Sequence, residues 1–151
     1  MTQTTAFFLG LAVLCWGMSA FFDKLCFRYF PGSAPGTPAQ ATDVFFVRLA
    51  LTILLLLVPV AVRWNGVCGA AAGAERMGLF WVGSSVVAAM SGVYFYLIAM
   101  SGAEASKIVP LSSTYPLVTF FLAVLFLGES FNPNKLLGTL FVCLGVFFLS
   151  R

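Results

Sequence analysis

The stretch "PLVTFFLAVLFLGESF", Pro116–Phe131, carries no charge until Glu129. A run of this kind is fit to cross a lipid bilayer, yet it begins on a proline and stops at Gly128 followed by a carboxylate. Gly128 can end a helix, and Pro133 can stand near the start of the next. Glu129 therefore belongs to a water-facing turn, and we assign Gly128 and Glu129 to the helix end. The proline is a different matter. Inside a helix it removes one backbone hydrogen bond and clashes with the carbonyl four residues back, here that of Ser112.

Working outward, the same pattern recurs along the chain. No Asp, Glu, Lys or Arg occurs in residues 1–22, 49–62, 77–103, 108–128 or 136–150. A spanning helix needs about 20 mostly apolar residues. Three of these runs qualify outright. The second qualifies if it starts near Val44 and accommodates Arg48, and the fifth if Lys135 snorkels to the interface. The expected fold is all-α, an integral membrane bundle in one domain, residues 1–151, with helices over about 6–22, 44–62, 78–100, 106–127 and 135–150. The apolar runs do not alternate as barrel strands would. Composition agrees: 61% of the 151 residues are hydrophobic and only 9% charged, against about 25% charged in soluble domains.

The connections differ in kind. "RYFPGSAPGTPAQATD" contains Pro31, Pro35 and Pro38 and is expected to be an exposed loop. "RWNGVCGAAAGAER" is expected to be a flexible connector. The short "SGAEASK" makes its flanking helices antiparallel neighbours. The opening helix is read as retained rather than as a signal peptide, because "MTQTT" lacks a basic residue.

Few residues carry candidate chemistry. The chain has no His, and Cys15, Cys26, Cys68 and Cys143 show no CxxC spacing. No metal, no cofactor and no catalytic group is expected. Pro110 and Pro116 bracket "LSSTY", whose hydroxyls could satisfy a broken backbone, and broken helices often mark transport sites. Ser112, Pro116, Thr119 and Ala123 share one face, and Ser85, Ala89, Gly92 and Tyr96 form a stripe on the preceding helix. The bland alternative is that both stripes only pack. On the first helix Trp16, Ser19 and Asp23 share a face beside Lys24. Arg48 lies four residues into its run, and an Arg at a helix centre costs about 2.5–3.5 kcal/mol on insertion scales. It can instead snorkel from a helix end. The residues favoured for a substrate pathway are Trp16, Lys24, Arg48, Tyr96, Ser112 and Pro116.

These residues carry a resemblance. Trp16-Gly17 followed by Lys24, Arg48 within "FFVRLALTILLL", and "GAEASKIVPLSSTYPLVTFFLAVLFLGESFNPNKLLGTLFVCLGVFFL" together resemble the EamA-domain branch of the drug/metabolite transporter superfamily. The strong part is residues 94–149, where Pro116, "LGE", Gly138 and Gly145 stand in register. The long Pro-rich first loop departs from the pattern. Typical members have ten helices in two inverted halves, and this chain looks like a single-domain five-helix member.

The resemblance implies a carrier in a bacterial inner membrane, an exporter or permease of a small metabolite. Its expected partners are the small-molecule substrate, membrane lipid and a second copy of the chain, antiparallel if the halves are inverted. No nucleic-acid partner is expected. A non-transporting membrane subunit or a lipid-handling protein is the rival class, and a different five-helix protein the rival partner. An inverted pair requires the chain to insert both ways. The basic residues permit it: Arg63, Arg76 and Lys135 fall on one side, against Lys24, Arg28, Lys107 and Arg151, with Arg48 uncertain.

Overall fold

The computed structural model describes residues 3–30 and 36–149. Seven helices follow in order: α1 Gln3–Cys26, α2 Pro38–Val62, α3 Trp64–Gly73, α4 Arg76–Gly102, α5 Ala105–Ser112, α6 Tyr115–Phe126 and α7 Pro133–Leu149. The described residues contain no strand, so the all-α class stands. Pro38–Val62, Arg76–Gly102 and Ala105–Phe126 (α5 and α6 together) are long and apolar enough to cross a membrane, and Pro133–Phe148 is a shorter apolar helix.

Three boundaries correct the expected ones. First, α2 begins at Pro38, not near Val44. Proline is tolerated at the first helical position, where its missing N–H would be unpaired anyway. Thr37 caps the turn, its hydroxyl accepting from the Gln40 amide at 3.4 Å. The third proline of the loop is thus a helix start. Pro31 and Pro35 lie outside the described residues. Second, "WNGVCGAAAG" is α3, not a flexible connector. It holds no proline, and Ala70–Ala72 are the best helix formers, set against Gly66, Gly69 and Gly73 at about 1 kcal/mol each. Third, the expected span over 106–127 is found as Ala105–Phe126, divided into two helices near the expected break. The Ser113 amide donates to the Val109 and Pro110 carbonyls, a tight turn separates α5 from α6, and Pro116 stands in the first turn of α6.

The chain divides into two compact units. One runs Leu25–Gly102 and holds α2, α3 and α4. Here the first half of α2 packs on the last half of α4, burying Ala41, Val44, Leu97 and Met100. Phe45 meets Tyr94 edge-on with ring centroids 5.2 Å apart. Beyond this contact the helices are bare. Every residue of α2 from Ala50 is exposed, as is every residue of α4 up to Gly92 except Ser84. Leu54, Leu55, Val58, Phe80, Trp81 and Val87 are among them. Water would oppose so continuous an apolar surface. Lipid or another helix would not.

The same unit contains a polar clasp. Gln40 is 2% exposed, the one buried polar side chain among the described residues. Its Nε2 donates to the Phe27 and Phe30 carbonyls at 2.9 and 3.3 Å, and its Oε1 accepts from the Gly36 amide at 3.0 Å. Gly36 has φ +76°, and an added Cβ there would meet the Ser101 carbonyl oxygen at 3.3 Å. Only glycine suits that left-handed backbone in so tight a place.

The other unit holds α1 up to Lys24 with α5, α6 and α7. Both α5 and α6 pack on α7, and Ala123 and Val146 are buried. Gly128, at φ +66°, turns the chain after α6, and the Glu129 amide comes back to the Ala123 carbonyl at 3.3 Å. Phe131 then meets Phe120 with centroids 5.9 Å apart. Asn132 receives the Asn134 amide on its Oδ1 at 2.9 Å, which opens α7.

Candidate functional site

The break between α5 and α6 supplies the first candidate region. Pro116 has no N–H, so it offers nothing to the Ser112 carbonyl four residues back. The nearby hydroxyls turn onto their own helix. Ser112 Oγ and Ser113 Oγ donate to the Val109 carbonyl at 2.7 and 3.0 Å, and Thr114 Oγ1 to that of Leu111 at 2.9 Å. Such back-bonding tends to bend a helix, in keeping with the break here, and leaves oxygen lone pairs for a ligand. Beside the break a cleft of about 360 Å³ is lined by Pro116, Phe120, Lys135, Gly138, Thr139 and Val142. Lys135 stands 3.9 Å from Glu129, both more than half exposed. An ion pair so open adds little stability, and either group can turn to another partner.

A second cleft of about 350 Å³ lies between α2 and α4, lined by Phe45, Phe46, Met90, Ser91, Tyr94 and Phe95. Its polar edge is Tyr94, whose hydroxyl shares a hydrogen bond of 3.3 Å with Thr42. Thr42 Oγ1 also donates to the Pro38 carbonyl at 2.8 Å. Since it has one proton, Tyr94 is then the donor to Thr42.

The six residues singled out from sequence fall in both units. Trp16, Lys24, Ser112 and Pro116 belong to one, Arg48 and Tyr96 to the other. Trp16 is 65% exposed on α1. Lys24 is half-buried and its Nζ donates to the Ala103 carbonyl at 2.7 Å, tying the end of α1 to the turn before α5. Arg48 is half-buried in the third turn of α2, deeper than a start at Val44 would place it. Ten residues from Pro38 to Arg48 correspond to about 15 Å of helix rise. Tyr96 is half-buried on α4, but it lies about 200° around the helix from Tyr94.

Tyr94 is therefore the tyrosine of the cleft, and the sequence reading missed it together with Thr42 and Phe45. The signal was available. Met90, Tyr94, Leu97 and Ser101 recur at helical spacing and mark the packing face. The small-residue stripe Ser85, Ala89 and Gly92 drew attention instead. Those three are exposed, and a Cβ on Gly92 would meet nothing within 4 Å.

No group of three or more His, Cys, Asp or Glu that could hold a metal occurs among the described residues. The described residues form an apolar helical chain with three stretches long and apolar enough to cross a membrane, one of them broken. Comparison with known proteins agrees. The chain matches the EamA-like transporter family over residues 3–151 and belongs to that family. It is a multi-pass membrane protein of a transporter family. An uncharacterized protein of Methanocaldococcus jannaschii is 26% identical over 147 residues, which cover 97% of this chain and 96% of that protein. No solved structure matches it.

Proposed function

We propose that this chain is a carrier for a small polar metabolite, built from five spans and working as a homodimer of inverted copies. α1, at 24 residues, and α7, at 17, join the other three apolar stretches as spans. The observation that carries the reading is the break at Ser113–Thr114 with Pro116 behind it. Within a bilayer an interrupted helix is tolerated where it lines a cavity or is enclosed by protein. The bare halves of α2 and α4 are what a second copy would cover. Arg48, half-buried on α2, is the cation we propose for an anionic group of the solute; Trp16, Lys24, Tyr96, Ser112 and Pro116 are proposed for the pathway on the sequence alone. A bacterial inner membrane is the proposed location.

Reconstituted vesicles test this. The purified chain alone should accelerate the uptake of at least one member of a panel of labelled amino acids and other small polar metabolites. Uptake equal to that of protein-free vesicles across the panel, with a second chain co-purifying, would favour a structural subunit instead.

The break makes a narrower prediction. Pro116→Ala restores an N–H opposite the Ser112 carbonyl and lets α5 and α6 fuse. The unfolding temperature in detergent is expected to stay level or rise while transport falls. A large loss of stability with transport per folded molecule unchanged would assign the break to packing.

A further inference from the structure

We infer that α3 lies in the plane of the membrane–water interface, with its bulky apolar face in the lipid and its cationic ends among anionic headgroups. Ten residues rise only about 15 Å, half of the roughly 30 Å hydrocarbon core, so α3 cannot span. Its two ends are fixed by its neighbours. α2 ends at Val62 and α4 begins at Arg76, and both are long and apolar enough to cross, so α3 is held at one face of the membrane. The inference rests on that membrane reading of α2 and α4.

The face of α3 settles the partner. At about 100° per residue, Trp64, Val67, Cys68 and Ala71 fall on one side and Asn65, Gly66, Gly69 and Gly73 on the other. No residue of α3 is buried; Trp64 is 58% and Val67 45% exposed. The opposite side is bare backbone and amide, overlaid at one end by Arg63, whose Nε would stand 3.8 Å from a Cβ on Gly66. Tryptophan favours the headgroup level, where an apolar ring and a polar N–H are both satisfied. A short helix with a bulky apolar face and basic flanks is the form that binds in the interface plane. Arg63 before α3 complements anionic lipid, and Arg76 after it does so against the opposing charge of Glu75 beside it. Sequence reading missed this because the glycines hid the helix.

The test uses the full chain in vesicles of phosphatidylcholine with a minor share of phosphatidylglycerol. A nitroxide is placed on Cys68, with Cys15, Cys26 and Cys143 replaced by Ala, and in a second sample on Asn65→Cys with Cys68→Ala added. Collision rates are measured with oxygen, which concentrates in lipid, and with a water-soluble nickel chelate. The expected oxygen-to-nickel ratio at Cys68 is several-fold above that at Asn65→Cys. Omitting phosphatidylglycerol should lower the Cys68 ratio in the native chain but not in Arg63→Gln/Arg76→Gln. Equal ratios at the two sites would place α3 in solution and overturn the inference. So would a Cys68 label shielded from both reagents, which would mean a protein partner. A label on Leu55→Cys, at the middle of α2, separates the premises. Nickel access there would show that the membrane reading itself had failed.

Discussion

Gln40→Ala is expected to cost the protein about 2–3 kcal/mol, because it removes three hydrogen bonds to part-buried backbone groups and empties the buried site of the side chain. The Gly36 amide loses its acceptor, and the Phe27 and Phe30 carbonyls lose their donor. Each unmade buried hydrogen bond costs about 1–3 kcal/mol, and collapse of the segment recovers only part of it. Thr42→Ala is the comparison. It removes a hydroxyl whose two partners, the Pro38 carbonyl and Tyr94, remain near α2, and about 1 kcal/mol is expected. Thermal unfolding in detergent distinguishes them: Gln40→Ala should lower the midpoint far more. Equal losses would mean that water replaces the amide and that the clasp is not what holds Phe27–Phe30 onto α2.

Arg48→Gln is expected to abolish transport while leaving the unfolding temperature in place. Gln keeps an unbranched stem and a hydrogen-bonding head, two atoms shorter than that of Arg, and carries no charge. A cation in the third turn of an apolar helix is expensive, and residues of this kind in spanning helices mark pathways by default. An Arg that only snorkelled would lose nothing essential on becoming Gln. Initial uptake rates in reconstituted vesicles at matched protein content decide between the two. A rate indistinguishable from that of the native chain would remove Arg48 from the pathway.

The legibility of this chain follows from what each signal depends on. The apolar runs were visible because crossing a bilayer demands length and absence of charge, both readable without contacts. The interruption before Pro116 was visible because Pro110 and Pro116 bracket a run of hydroxyl residues inside one apolar stretch, and Pro116 then opens α6 from its first turn. Pro38 misled because the same missing N–H is harmless in a first turn, and only Thr37 and Gln40 behind it show which case applies. Gln40 was passed over inside "PGTPAQATD" because Phe27 and Phe30 follow no helical spacing from it, and Gly36, four residues back, precedes the helix. Tyr94 was passed over for Tyr96 because two tyrosines two residues apart point to opposite sides, and the choice rests on which face meets α2.

Lys24 shows the converse. Its place near a helix end was legible, but its hold on the Ala103 carbonyl joins residues 79 apart in sequence. That bond puts the end of α1 beside the start of α5. It thus supports the grouping of Lys24 with Lys107 in the charge balance that governs insertion. Arg63 and Arg76 flank α3 at its two ends. The two groups differ little in number, which permits the dual insertion proposed.

The central claim, a carrier made of two inverted copies, therefore meets its most direct test in the orientation of the chain. Cys68 lies on the lipid-facing side assigned to α3, so the reporter is better placed on Asn65, exposed on the other side. With all four native cysteines replaced by Ala and Asn65→Cys introduced, intact cells are treated with a membrane-impermeant maleimide. The accessible fraction is then scored against permeabilised cells. Inverted pairing predicts that about half of the molecules react from outside, because dual insertion presents α3 to each side equally. Reaction of nearly all or nearly none would mean a single orientation and would contradict the inverted homodimer.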